Sequence, residues 1–169
     1  MITLFIGGQK SGKSKLAEKY TLKLSKKCKN KKPNYIATYD DSYGDKQMKY
    51  KIKLHKKQRQ DKFETINETI DLVKVIKPNH TYLIDCISMW ILNTIDFKEK
   101  KLIKKLKQLK KLSLNSNIVF VLNDVNNGII PIDNITSKFV NRTGIVGQYL
   151  SKISDEVYEV KFGLKKKLK

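Results

Sequence analysis

The chain has 169 residues, 40% of them hydrophobic, and a formal net charge of +20. That length and apolar content support a folded globule of one domain with a sizeable core. The two cysteines, Cys28 and Cys86, form no C-x-x-C pair, so neither a disulfide framework nor a zinc site is suggested. No apolar stretch approaches the ~20 residues of a membrane span. With no basic leader ahead of an apolar segment, a cytoplasmic protein is expected.

In chain order, residues 2–6 ("ITLFI") read as a buried parallel strand, and residues 13–24 place Leu16, Tyr20 and Leu24 on one face of a helix. A polar turn leads to a short strand at residues 35–38 ("YIAT") and a loop rich in Asp and Gly. Residues 45–60 have helical spacing with a strongly basic outer face. Residues 63–76 read as a short extended piece passing into a helix, and residues 80–93 as an apolar strand ending at Asp85 and running into another helix. In residues 98–112, Leu102, Ile103, Leu106, Leu109 and Leu112 make one helical stripe from which the lysines face away. Residues 117–125 ("NIVFVLNDV") form a further buried strand, and Gly128 and Pro131 mark a turn after it. A helix around residues 135–154 and a last strand, "EVYEVKF", complete the chain. Strands alternating with helices predict an α/β fold, a mostly parallel sheet with helices on both faces. In such sheets ligands bind beyond the carboxyl ends of the strands.

The first strand and helix flank a phosphate-binding pattern. Gly7, Gly12, Lys13 and Ser14 fit G-x-x-x-x-G-K-[ST], so the loop of Gly7, Gly8, Gln9, Lys10, Ser11 and Gly12 is a P-loop. Glycine lets the backbone aim successive N–H groups at an anion, and the helix N-terminus adds its positive end. Lys13 then reaches the β- and γ-phosphates, and the Ser14 hydroxyl sits on Mg²⁺.

Two residues each admit two readings. Asp85 stands where a P-loop protein places the acid that positions Mg²⁺, and equally where an acidic N-cap would precede the next helix. His55, on a helix, would have Lys51 and Arg59 on its own face and Lys56 and Lys57 beside it. Those cations disfavour the imidazolium and leave a nucleophilic ring, but a surface histidine in a lysine-rich helix would look the same. His80, in a Pro-Asn turn, reads as structural.

The net charge invites comparison with nucleic-acid binders. The lysines are spread along the chain, however, without a recognition-helix motif or an aromatic-interleaved basic surface. Nonspecific polyanion attraction at low salt is expected, and no specific nucleic-acid partner.

In order, "GGQKSGKSKLAE", "YIAT", "MKYKIKLHKKQR", "FETINE", "LIDCISMWILN", "NDVNNGIIP" and "GIVGQYLSKISDEVYEV" resemble the bifunctional adenosylcobinamide kinase / adenosylcobinamide-phosphate guanylyltransferase family of cobalamin biosynthesis. The resemblance covers essentially the whole chain. It implies a P-loop fold assembled as a homotrimer, with ATP or GTP and the corrinoid as substrates. It implies two reactions: phosphorylation of the aminopropanol hydroxyl of adenosylcobinamide, then transfer of GMP from GTP to that phosphate. The family's guanylylated histidine falls on His55. Thr38 and the segment Lys57, Gln58, Arg59 and Gln60 match positions that contact the nucleotide, as does Asp85, expected with Ser14 at the metal. The chain departs from the family's pattern at Asp124, Asn126, Val140, Asn141 and Gly147, and at Phe63 and Asn67. Two other readings are a P-loop kinase for another small alcohol, with His55 incidental, and a nucleotide-gated binding module without turnover.

Overall fold

A computed structural model describes residues 1–27, 32–40, 44, 60–126 and 131–169. Its frame is one seven-stranded sheet in the order β3-β2-β4-β5-β1-β6-β7. The strands are β1 (Ile2–Gly7), β2 (Asn34–Ala37), β3 (Glu64–Asn67), β4 (Thr81–Asp85), β5 (Asn117–Asn123), β6 (Glu156–Lys161) and β7 (Leu164–Lys167). The first six pair in parallel, and β7 closes the edge antiparallel to β6. The helices are α1 (Lys13–Lys27), α2 (Leu72–Val75), α3 (Ile87–Asn93), α4 (Glu99–Leu112) and α5 (Asn134–Ile153).

Burial on both faces explains why β1 and β5 are almost unbroken apolar runs. Alternate residues feed two cores. Ile2, Leu4, Ile84, Ile118 and Phe120 pack with Trp90 of α3, Leu102, Leu106 and Leu109 of α4, and Val146 and Leu150 of α5. Phe5, Leu83, Val119 and Val121 point the other way, with Ala17 of α1. Helix α1 corrects the expected facing. Its buried stripe is Lys13, Ala17, Thr21 and Ser25, while Leu16, Tyr20 and Leu24 are half-buried along its flanks. Small side chains at i, i+4 let this helix lie close on the sheet, and Thr21 satisfies its buried hydroxyl on the Ala17 carbonyl at 2.7 Å.

Helix α4 buries its leucines as expected, but two of its lysines do not simply face water. Lys105 pairs with Asp71 at 2.9 Å, and Lys110 donates to the Ile153 carbonyl at 2.8 Å. The last strand also differs from expectation. It ends at Lys161, turns through Phe162 and Gly163, and returns as β7. Every residue of β7 is exposed, and its lysines blunt the sheet edge against further pairing. Lys167 reaches Glu156 at 3.0 Å, and Lys165 lies 4.7 Å above the Tyr158 ring. Smaller shifts concern ends: the 117–125 strand stops at Asn123, Thr38 lies just past β2, and the turn at Gly128 lies outside the described residues.

Candidate functional site at the carboxyl edge of the sheet

Strand register brings the chemistry together. Ala37 pairs with Asp85 and Gly7 with Asn123, so β1, β2, β4 and β5 finish along one edge, where the 8–12 loop leads into α1.

The loop is built on close approach. A Cβ at Gly7 would lie 2.3 Å from the Val160 carbonyl oxygen and 2.8 Å from Ser11 Oγ, which no side chain could occupy. Gly12 adopts φ +93°, in the region that favours glycine. Ser11 N–H donates to the Gly8 carbonyl at 3.2 Å and Leu16 N–H to that of Gly12 at 3.2 Å. Gly8, Gln9 and Lys10 are exposed on the outside of the turn. The Ser11 hydroxyl is buried with no hydrogen-bond partner among the described residues, an arrangement that an anion acceptor in the loop would complete.

Lys13 is 6% exposed, and its Nζ donates to the Gly8 carbonyl at 3.1 Å, folded back over the loop. Burial draws this ammonium below the ordinary lysine value, against the pull of the neighbouring charge on Asp85. Cys86 would add to that pull only once ionised, and burial pushes its thiol up to about 11.

For Asp85 the structure separates the two readings. The residue capping α3 is Cys86. The Asp85 carboxylate instead accepts from Ser14 Oγ at 3.3 Å and from the Tyr35 hydroxyl at 3.0 Å. A serine hydroxyl and a carboxylate oxygen this close are hard donors of the type Mg²⁺ takes alongside phosphate oxygens and water, so the residues fit that ion. No cluster of three or more His, Cys, Asp or Glu side chains able to hold a metal occurs among the described residues.

Behind Asp85, Thr38 is buried, and its hydroxyl accepts from Cys86 N–H at 3.0 Å and donates to the Cys86 carbonyl at 2.8 Å. Asn93 Nδ2 donates to the Thr38 carbonyl at 2.7 Å and to that of Thr69 at 3.0 Å. Thr38 and Asn93 thus brace the turn that presents Asp85. Ser88 Oγ accepts from Asn123 N–H at 2.9 Å, tying the end of β5 to α3. Tyr35, Ser88 and Asn93 were given no role from the sequence, although all three sit within stretches that carry the resemblance.

His55, Lys57, Gln58 and Arg59 lie outside the described residues. Gln60 opens a short 3₁₀ turn, Gln60–Lys62, that leads to β3. The departures Asp124, Asn126, Val140 and Gly147 gather where β5 meets α5. Asn126 Nδ2 donates to the Val140 carbonyl at 3.1 Å, and its N–H to Asp124 Oδ1 at 3.3 Å. A Cβ at Gly147 would come within 3.3 Å of Leu122. Phe63 is buried edge-on to Tyr35, their ring centres 6.1 Å apart. No described helix is long and apolar enough to cross a membrane.

A parallel sheet with a phosphate loop after its first strand, and an acid two strands away facing that loop's serine, define a P-loop nucleotide-binding fold. Solved structures agree. The flagellar accessory protein FlaH of Methanocaldococcus jannaschii superposes with a TM-score of 0.55 at 16% identity, covering 99% of this chain and 77% of its own. A protein of Pyrococcus horikoshii OT3 known from a structural study superposes at 0.51 and 11% identity, covering 99% and 85%. Residues 3–168 match the family described as cobinamide kinase / cobinamide phosphate guanyltransferase, and the chain belongs to it. The bifunctional adenosylcobalamin biosynthesis protein CobP of Pseudomonas aeruginosa is 25% identical, over 100% of this chain and 98% of its own. Its counterpart CobU of Escherichia coli is 26% identical over the full length of both.

Proposed function

We propose that this chain is one catalytic domain that phosphorylates adenosylcobinamide with a nucleoside triphosphate and then guanylylates the product through His55, acting as a cytoplasmic homotrimer. The observation that carries the reading is the convergence of Lys13, Ser14 and Asp85 on one phosphate loop, in a chain that matches the family over residues 3–168. Gly7, Gly8, Gln9, Lys10, Ser11 and Gly12 would wrap the polyphosphate. The 57–60 segment would complete the nucleotide site, and Thr38 would serve it from behind by holding the turn at Cys86 that presents Asp85. Mg²⁺, held by Ser14 and Asp85, would neutralise charge on the outer phosphates.

In the kinase step the substrate hydroxyl oxygen bonds to the γ-phosphorus, the β–γ bridging bond breaks, and the hydroxyl proton leaves to solvent. Lys13 would stabilise the charge that builds on the departing diphosphate. In the second step the neutral imidazole of His55 attacks the α-phosphorus of GTP. An N–P bond forms, the α–β bridging bond breaks, and pyrophosphate departs. A phosphate oxygen of adenosylcobinamide phosphate then displaces the histidine, giving adenosylcobinamide-GDP. One difficult displacement becomes two easier ones.

GTP labelled at the α-phosphate tests the reading. The protein should acquire acid-labile, base-stable label, γ-labelled GTP should leave none by this route, and His55→Asn should lose the mark while still binding GTP. The kinase step should partly survive in that variant. Uptake of α-label by His55→Asn with guanylyl transfer intact would refute the assignment. Phosphorylation of a different alcohol by an unlabelled protein would point to the simpler kinase.

A further inference from the structure

The β6–β7 hairpin belongs to the phosphate loop as much as to the sheet edge. Gly163 N–H donates to the Ser11 carbonyl at 2.8 Å, and a Cβ at Gly12 would meet Gly163 Cα at 3.3 Å. The turn is therefore a wall of the loop. At its tip stands Phe162, 87% exposed, in a left-handed conformation at φ +50°. Asn or Gly would fill such a two-residue turn without strain, whereas a bulky aromatic there is uncommon and contributes nothing to either core. Strain of this kind collects at sites of function.

The sheet order says which end of a bound nucleotide this ring would meet. Along β4-β5-β1-β6-β7, Asp85 and its contact with Ser14 lie on the β4 side of the loop and the hairpin on the opposite side. The Lys and Ser of such a loop serve the outer phosphates and the metal. With the outer phosphates held at Lys13, Ser14 and Asp85, the rest of the nucleotide would extend across the mouth of the loop, whose wall opposite Asp85 is the hairpin.

We propose that Phe162 is the platform on which the purine base of the bound nucleotide stacks. The inference rests on the reading that the loop holds a nucleoside triphosphate. A flat, exposed ring fixed to the loop by a backbone hydrogen bond offers a π-face at a set distance from the phosphates, and stacking needs no further partner. Lys161, whose Nζ is 6.0 Å from the ring centre, adds a cation at the same tip.

Calorimetric titration with GTP and with inorganic tripolyphosphate separates this inference from the reading beneath it. Wild-type protein should bind both. Phe162→Ala should bind GTP about ten- to a hundredfold more weakly, by the usual worth of one stacked base, and hold tripolyphosphate unchanged. Phe162→Tyr should restore GTP binding. Phe162→Trp supplies a reporter, because the native Trp90 is fully buried: GTP should alter the new emission and tripolyphosphate should not. Wild-type protein that binds neither ligand would defeat the loop reading itself. If wild type binds both, the inference is overturned by Phe162→Ala that holds GTP as tightly, or that loses both ligands alike. It is equally overturned by a variant whose sedimentation changes while its GTP affinity stays, which would assign the ring to contact between copies.

Discussion

Replacing Gly7 by alanine tests how tightly the loop is seated on the sheet. The added methyl carbon would sit 2.3 Å from the Val160 carbonyl oxygen and 2.8 Å from Ser11 Oγ. Ordinary carbon–oxygen contact needs about an ångström more than the first of these. The obstacle is backbone of β6, the strand hydrogen-bonded beside β1, so relief requires the two strands to part or the loop to lift. Overpacking of this kind costs about 1–3 kcal/mol, which for a chain of this length lowers the melting temperature by ~2–12 °C. The same shift displaces Ser11 and with it the Gly163 contact, so GTP affinity should fall as well. Gly8→Ala is the control. A Cβ there meets nothing within 4 Å, so its melting temperature should stay at the wild-type value, and any loss of affinity reports crowding of the anion alone. Thermal unfolding and calorimetric titration of both variants make the comparison. A Gly7→Ala protein that melts and binds GTP like wild type would refute the close-packing argument.

Three further outcomes are expected. Lys13→Ala should lower both activities by roughly two or three decades through loss of a charge-assisted phosphate contact; steady-state kinetics and GTP titration check it, and normal GTP affinity would remove Lys13 from the site. Asp85→Ala should cut nucleotide turnover with only a small fall in melting temperature, of the order set by the lost hydrogen bonds from Tyr35 and Ser14, about 1–2 kcal/mol; collapse of stability with activity per folded molecule unchanged would make the residue structural. Cys86, whose thiol is raised to about 11 from an ordinary 9.0, should resist iodoacetamide at pH 7–8 by peptide mapping. The unfolded thiol ionises near 9.0 and the folded one near 11, so the folded state holds the extra proton between them and this group's contribution to stability is lost as pH rises through that window.

How much of this was legible in the sequence depended on whether a feature is local. The runs that became β1 and β5 declare themselves because a strand covered on both faces has no polar alternation to hide it, and the phosphate loop is written in consecutive residues. The stripe of α4 was legible for the same reason. Helix α1 misled because its buried line is Ala17, Thr21 and Ser25. Close packing on a sheet selects small side chains there, while hydropathy points to the larger neighbours. Strand β7 carries lysines at three of its four positions, the mark of a protected edge, and it has no buried face to set a period. Its turn, Phe162-Gly163, lacks the Asn-Gly or Asp-Gly signature of a tight hairpin.

The contacts that give the site its shape are of a different order. Asp85 meets Ser14 across 71 positions because β4 lies two strands from β1, with only β5 between them. The hairpin becomes a wall of the loop because the last parallel strand, β6, returns to the other side of β1. Neither juxtaposition follows from spacing, since both are consequences of strand order. That order also divides the labour of binding. On the function proposed above, the backbone of the loop and the Lys13, Ser14 and Asp85 group would recognise polyphosphate, which every nucleoside triphosphate carries. Nothing in that set can tell one base from another. Preference among nucleotides would then come from elements outside that set, and among the described residues the tip of the β6–β7 hairpin touches the loop on the side away from Asp85. A chain can accordingly keep its phosphate chemistry intact while exchanging its preferred nucleotide by changes confined to a few residues near its end.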